Sequence, residues 1–319
     1  MASTLTVRVA DVAIETDEIR RFELVAEAGG ELPAFEAGAH IDVHAGEAGV
    51  RQYSLCNAPW ERERYVIGVK REAQSRGGSA WMHALESGAS LTIGAPRNHF
   101  ALDPLARRHV LLGAGIGLTP LLSMAEALWR RDAEFVLYAF ARSAAHRAFA
   151  ARLREAPWSS RVRYHLDDTG PRIDLAAELK ALAAPDTHLY MCGPQGFMDA
   201  VREGAPQWPE AALHFEYFAP VVPAEHTGDT GDDRPFEVEL ARRGETFRIG
   251  PDDTIAQVLI DAGIDVVTSC EQGVCGTCVT DYLAGEPDHR DFCLNKKERE
   301  SKVAICCARA KTDRLVLDL

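Results

Sequence analysis

No run of apolar residues in this 319-residue chain approaches the roughly 18 that a membrane-spanning helix needs, so no span is expected. The opening Met1-Ala-Ser-Thr-Leu-Thr-Val-Arg lacks both a basic start and an apolar stretch, which makes a cytoplasmic location the expectation. Positive charge is short: 35 Lys and Arg stand against 48 Asp and Glu, a formal net charge of −13. That balance excludes the basic footprint of a nucleic-acid binder and favours a partner with a basic face. The acid excess gathers late, since Glu225 to Leu319 holds 20 acidic against 12 basic residues, a net of −8. Internal repeats are absent. What remains is an ordinary globular composition, 46% hydrophobic and 26% charged, in a length that calls for two or three domains at about 100–200 residues each.

Five of the eight cysteines lie in two late segments, Cys270-Glu-Gln-Gly-Val-Cys275-Gly-Thr-Cys278 and Ile305-Cys306-Cys307-Ala308. The spacing C-x4-C-x2-C with a distant fourth cysteine is that of a plant-type [2Fe-2S] cluster. A loop carrying Cys270, Cys275 and Cys278 can wrap one edge of an Fe2S2 unit, and Gly273 and Gly276 let its backbone come close without a Cβ clash. Zinc prefers two C-x2–4-C knuckles, and a disulfide is disfavoured by an intracellular redox poise. Cys306 and Cys307 are both candidates for the fourth ligand.

The first hundred residues show short runs of β-formers between Gly, Pro and acidic turns: Leu5 to Ile14, Arg21 to Ala26, His40 to His44, Arg51 to Leu55, Tyr65 to Lys70 and Leu91 to Ile93. Six such strands predict a small antiparallel β-barrel over residues 1–102. In Arg51-Gln-Tyr53-Ser54-Leu55 an Arg, an aromatic ring and a hydroxyl could serve a phosphate, a ring face and a ring nitrogen, although an ordinary strand with a core Tyr has the same pattern. Arg76-Gly77-Gly78-Ser79 then opens a helix, whose N-terminus would suit a phosphate. R-x-Y-S-L followed by a G-G-S helix start resembles the flavin domain of the ferredoxin reductase superfamily. By that resemblance Arg51, Gly77, Gly78 and Ser79 would hold a flavin phosphate, Tyr53 would pack on the ring, and Ser54 would face its N5. Val69 and Lys70 would line the same pocket.

After Pro96 strands and helices alternate, which predicts an α/β domain with a parallel sheet over residues 103–222. Strands are expected at His109 to Leu112, Phe135 to Phe140, Arg161 to Leu166, His188 to Cys192 and Leu213 to Phe218, and helices at Leu118 to Arg130, His146 to Arg154, Ile173 to Ala183 and Phe197 to Glu203. Gly113-Ala-Gly115-Ile116-Gly117-Leu-Thr119-Pro120 feeds a helix in a way that suits a dinucleotide pyrophosphate. Taken alone it is equally an ordinary tight turn. Cys192-Gly193-Pro194 at the carboxyl end of a later strand resembles the superfamily's C-G-P motif, where such sheets bind ligands. Arg142 and Ser143 follow the second strand, and Arg142 could pair with a 2′-phosphate, whereas Asp167 and Asp168 add negative charge nearby. NADH is the expected donor on the resemblance.

Residues 223–234 read as a linker, and 235–319 as a ferredoxin domain that resembles an α+β β-grasp fold. The order flavin, nicotinamide, ferredoxin resembles the phthalate dioxygenase reductase and vanillate O-demethylase reductase family over essentially the whole chain. The resemblance implies FMN, NADH and one [2Fe-2S] cluster, with Cys270, Cys275, Cys278 and Cys306 as ligands. It also implies Cys192 and Glu216 beside the nicotinamide with Ser54, and Phe218 over the flavin. Ala308, Cys293 and Cys307 depart from the family pattern, and the latter two thiols are expected to be inert. The implied function is that of a monomeric reductase component, passing electrons to a separate Rieske-type oxygenase in aromatic catabolism. A self-sufficient NADH oxidoreductase acting on ferric chelates or quinones is the alternative, and a redox sensor would need neither the flavin pocket nor the nucleotide loop.

Overall fold

The computed structural model describes residues 4–73, 77–169, 173–218, 234–251, 253–268, 273, 276–291, 293–294 and 297–319. Contacts divide the chain into two compact units, Met1–Phe218 and Ala219–Leu319. The expected linker lies outside the described residues except for Arg234.

The first unit begins with β1 (Thr4–Ile14), β2 (Ile19–Ala26), β3 (His40–His44), β4 (Val50–Ser54), β5 (Tyr65–Lys70), α1 (Gly78–His83) and β6 (Ser90–Gly94). The strands form an antiparallel sheet of order β4-β3-β6-β1-β2-β5. It closes where Leu55 bridges Ile67 and the Cys56 N–H meets the Val66 carbonyl at 2.8 Å. Alternation places Val7, Val9, Phe22, Leu24, Ile41, Val43 and Ile67 inward, and Met82 of α1 plugs the same core.

A five-stranded parallel sheet follows, built from β7 (Arg108–Ala114), α2 (Leu118–Arg130), β8 (Glu134–Ala141), α3 (Ala150–Glu155), β9 (Val162–Leu166), α4 (Leu175–Leu182), β10 (Thr187–Cys192), α5 (Gln195–Gly204) and β11 (Leu213–Glu216). Its order, β11-β10-β7-β8-β9, reverses between β7 and β10, which makes the carboxyl ends of those strands a switch-point crevice. Nearly every residue of α2 is buried, because the helix is packed on two sides. Leu121, Leu122, Met124 and Ala125 share one core with Leu111 and Leu137 of the sheet and with Ile19, Cys56, Val66 and Phe100 of the barrel region. Barrel and sheet therefore form one unit.

Two expectations are corrected. The helix expected at His146 to Arg154 is broken, and α3 starts only at Ala150, because Phe149 is buried with a left-handed φ of 56° and its N–H bonds to Glu15 Oε2 at 3.0 Å. The last strand stops at Glu216, two residues short of the expected Phe218.

The second unit contains β12 (Phe236–Leu240), β13 (Glu245–Ile249), α6 (Ile255–Asp261), β14 (Val279–Ala284), β15 (Pro287–Asp288), β16 (Lys302–Ala304), β17 (Arg309–Ala310) and β18 (Arg314–Leu317). The main sheet runs β13-β12-β18-β14-β16, with β12 and β18 parallel, and α6 lays Ile255, Ala256 and Leu259 on it. Thr254 caps α6 by accepting the Gln257 N–H at 3.1 Å. Arg309 is buried with its guanidinium on the carbonyls of Gly250, Asp253 and Arg234 and over the Phe236 ring at 4.9 Å, so it binds three segments of this unit together.

Candidate functional site: the barrel and sheet junction and the cluster loop

Ser54 ends β4, and its hydroxyl donates to Glu216 Oε2 at 3.1 Å, joining the barrel to the last strand of the parallel sheet across 162 residues of sequence. Register places Glu216 beside Cys192, which lies beside Gly113. Burial pushes the Glu216 carboxyl up to about 8, against the lowering effect of the Ser54 hydroxyl, so the group is largely protonated at neutral pH. Burial, and then the Glu216 charge, raises the Cys192 thiol well above its ordinary value, so it is a neutral thiol. The three expected catalytic residues therefore meet at one end of the switch-point crevice.

Arg51 lies across the start of α1. A Cβ at Gly78 would fall 2.6 Å from Arg51 Nε, so the glycine lets the Arg51 side chain lie close against the helix start. Gly77 precedes the helix at a φ of 94°, and the Ser79 hydroxyl accepts the Glu72 N–H at 3.1 Å. Arg51, Gly77, Gly78 and Ser79 are thus brought together as a cradle that fits a phosphate. Burial raises Tyr53 to about 12, with Arg51 acting the other way, which keeps its phenol neutral for packing against a ring. Val69 is wholly buried in the barrel core, so its side chain does not line a pocket, and its carbonyl meets His83 Nε2 at 2.9 Å. Lys70 pairs with Glu72 at 2.9 Å. Phe218 stands just beyond β11 and is 42% exposed, as a ring with an open face would be.

The glycine loop packs directly on the Cys192-Gly193 peptide. A Cβ at Gly117 would lie 2.1 Å from the Cys192 carbonyl oxygen and 2.7 Å from Gly193 N, while Gly115, at a φ of 57°, has open space beside it. Gly113 is tight against Leu118, and Thr119 donates to the Ile116 carbonyl at 2.9 Å, with Pro120 inside the first turn of α2. Gly193 fits between Phe197 and Ala114, and Pro194 leads into α5. A helix start at the switch point with an open glycine fits a pyrophosphate. Gly68 of β5 was missed by the sequence reading: a Cβ there would strike Phe149 and Thr119 at 2.8 Å and Ile116 at 3.2 Å. A lone glycine inside an apolar strand was the available signal. Ile116 and Thr119 therefore serve the docking of the barrel as well as the loop. Arg142 pairs with Glu18 at 2.9 Å, Ser143 meets His146 Nδ1 at 2.7 Å, and the N–H groups of Asp167 and Asp168 bond the carbonyls of Ala141 and Arg142.

In the second unit Cys270 and Cys275 lie outside the described residues. Cys278 and Cys306 are buried in the domain core, and the Gly273 N–H points at Cys306 Sγ at 3.3 Å. Gly273 and Gly276 take φ values of 70° and 71°, as a loop that turns its N–H groups towards sulfur requires. Cys307 is half-buried with its Sγ 3.6 Å from the Ala304 carbonyl, and Cys293 Sγ is 3.9 Å from Asp291 Oδ2. Asp291, buried, caps the Leu294 N–H at 3.0 Å, and its carbonyl accepts Arg299 Nη2 at 2.6 Å. A buried thiol receiving a backbone N–H is what a cluster ligand needs, so the described residues fit an iron-sulfur group.

A 2Fe-2S iron-sulfur cluster binding domain (Fer2) matches residues 238–311. Vanillate O-demethylase oxidoreductase of Pseudomonas putida is 46% identical, over 96% of this chain and 96% of that protein. The solved phthalate dioxygenase reductase, described as a modular structure for electron transfer from pyridine nucleotides to [2Fe-2S], is 39% identical with a TM-score of 0.72, over 99% of this chain and 98% of that one. The chain belongs to this oxygenase-reductase family. It is an oxidoreductase with a flavin barrel, a nicotinamide nucleotide domain and a C-terminal [2Fe-2S] ferredoxin domain. The reductase subunit of a tert-butanol monooxygenase / tert-amyl alcohol desaturase from Aquincola tertiaricarbonis is also 42% identical, over 99% of this chain and 96% of that protein. Family membership therefore does not fix the compound that is finally oxidised. Among the described residues no helix is long and apolar enough to cross a membrane.

Proposed function

We propose that this chain takes electrons from NADH through FMN and its own [2Fe-2S] cluster and delivers them to a separate Rieske-type oxygenase, as a cytoplasmic monomer. The observation that carries the reading is the Ser54–Glu216 contact beside Cys192, because it sets a hydroxyl, a neutral carboxyl and a neutral thiol where the barrel meets the carboxyl end of the nucleotide sheet. A bound flavin supplies the change from a two-electron hydride donor to a one-electron acceptor. The protein's own groups bind and orient. Arg51 with Gly77, Gly78 and Ser79 would hold the phosphate, Tyr53 and Phe218 the ring faces, and Ser54 the N5 edge. Glu216, protonated at neutral pH, adds a hydrogen-bonding group without a negative charge beside the hydride path. Gly113, Gly115, Ile116, Gly117, Thr119 and Pro120 would receive the pyrophosphate, with Cys192, Gly193 and Pro194 at the nicotinamide. Arg142 pairs with Glu18 at 2.9 Å, so a 2′-phosphate there would meet a carboxylate beside the guanidinium, which supports NADH as the donor. Cys306, with Cys270, Cys275 and Cys278, would ligate the cluster.

Cofactor extraction with mass spectrometry and metal analysis tests the assignment. One FMN and two irons per chain are expected. Release of FAD would overturn the flavin, and four irons would overturn the cluster type.

A further inference from the structure

One face of the parallel sheet carries a second group of polar side chains, at the far end of β10 from Cys192. Register sets His109 of β7 opposite His188 of β10, and Tyr190 of β10 opposite His214 of β11, so all four rings lie on one face. They stack in a row, with centroids 5.9 Å apart for His109 and Tyr190, 4.4 Å for Tyr190 and His214, and 5.1 Å for His214 and His188. Asp103, from the connection between β6 and β7, joins them. Its N–H donates to the Tyr190 hydroxyl at 2.8 Å, and its Oδ1 accepts the Leu105 N–H at 2.7 Å. The remaining oxygen, Oδ2, stands 3.7 Å from His188 Nδ1, and that nitrogen is 2.9 Å from His214 Nε2.

We propose that Asp103, His188 and His214 bind a divalent first-row transition-metal ion of the zinc and nickel class. Their ligand atoms all lie within 4.8 Å of one another, and each residue is half-buried, which leaves a path for an ion and a coordinating water. Ligands at roughly 2.0–2.2 Å from a tetrahedral ion stand about 3.4 Å apart, a separation bracketed by the 2.9 and 3.7 Å found here. A hydrogen-bonded chain would bring the carboxylate closer, since 3.7 Å is beyond hydrogen-bond reach. Two imidazoles with one carboxylate form a donor set suited to zinc, nickel or copper rather than to magnesium or calcium. The ligands come from three separate segments, so an ion would tie the connection after the barrel to two strands of the sheet. Its expected effect is on stability.

Zinc chloride titrated into full-length holoprotein tests this by calorimetry, with the thermal midpoint followed in parallel. The wild type should show a saturable binding event that raises the midpoint. His214→Gln and Asp103→Asn should each weaken that event by about tenfold or more, as loss of a ligand costs no less than loss of its outer support. Asp103→Asn leaves the ring stack intact and so reports even where His214→Gln unfolds. Absence of the event in the wild type, or an unchanged titration in Asp103→Asn, would overturn the site.

Discussion

Glu216 is where burial and chemistry meet most directly. Its pKa rises from 4.5 to about 8, so the folded chain holds the proton more tightly than the unfolded one. The stability this contributes is fully present below pH 4.5 and is lost as pH rises through about 8. The wild-type thermal midpoint, compared with that of Glu216→Gln, should therefore fall across that window, and parallel pH curves for the two proteins would contradict it. Because the Ser54 hydroxyl lowers this pKa, Ser54→Ala should push the upper end of the window higher. A second residue-scale prediction separates two adjacent thiols. Cys306 receives the Gly273 N–H, whereas the Cys307 thiol turns to the Ala304 carbonyl. Cys306→Ser should lose the cluster's visible absorption and Cys307→Ser should keep it, and the reverse would mean that the ligand register is shifted by one.

Among the elements, α2 is gripped from both sides, and two glycines set how closely. Gly68→Ala would drive a methyl into Phe149 and Thr119, and should lower stability by about 1–3 kcal/mol in a denaturant titration. Gly117→Ala would strike the Cys192 carbonyl and open the glycine loop, raising the KM for NADH while flavin content stays unchanged. Equal KM values would show that the loop does not receive the nucleotide. Long, strongly patterned elements were legible in the sequence. The expected helix Leu118 to Arg130 and strands His40 to His44 and Tyr65 to Lys70 have the bounds that the structure shows. The break at Phe149 was not legible, since a left-handed aromatic is dictated by tertiary packing and by Glu15, far away in the chain. Short strands such as β15 and β17, two residues each, carry no period to read. Arg51, Ser54 and Cys192 could be named from local motifs. The group of Asp103, His188 and His214 could not, because strand register alone assembles it.

For the whole molecule, the chain order is flavin, nicotinamide, ferredoxin, whereas electrons run from the nicotinamide nucleotide to the flavin and then to the C-terminal ferredoxin domain. With Arg142 tied to Glu18, NADH should exceed NADPH in kcat/KM by at least about tenfold, on the order of 1.4 kcal/mol, and equal values would refute the assignment. The late acid excess, −8 of a total −13, suits a basic docking face on the oxygenase, so electron delivery should weaken as salt rises. The contacts that divide the chain after Phe218 also provide the most direct test of the relay. Full-length protein and a form ending before Arg234 are compared for NADH-driven reduction of ferricyanide and of the oxygenase component. The shortened form should keep the first activity and lose the second, whereas delivery to the oxygenase at the full rate without the ferredoxin domain would contradict the account.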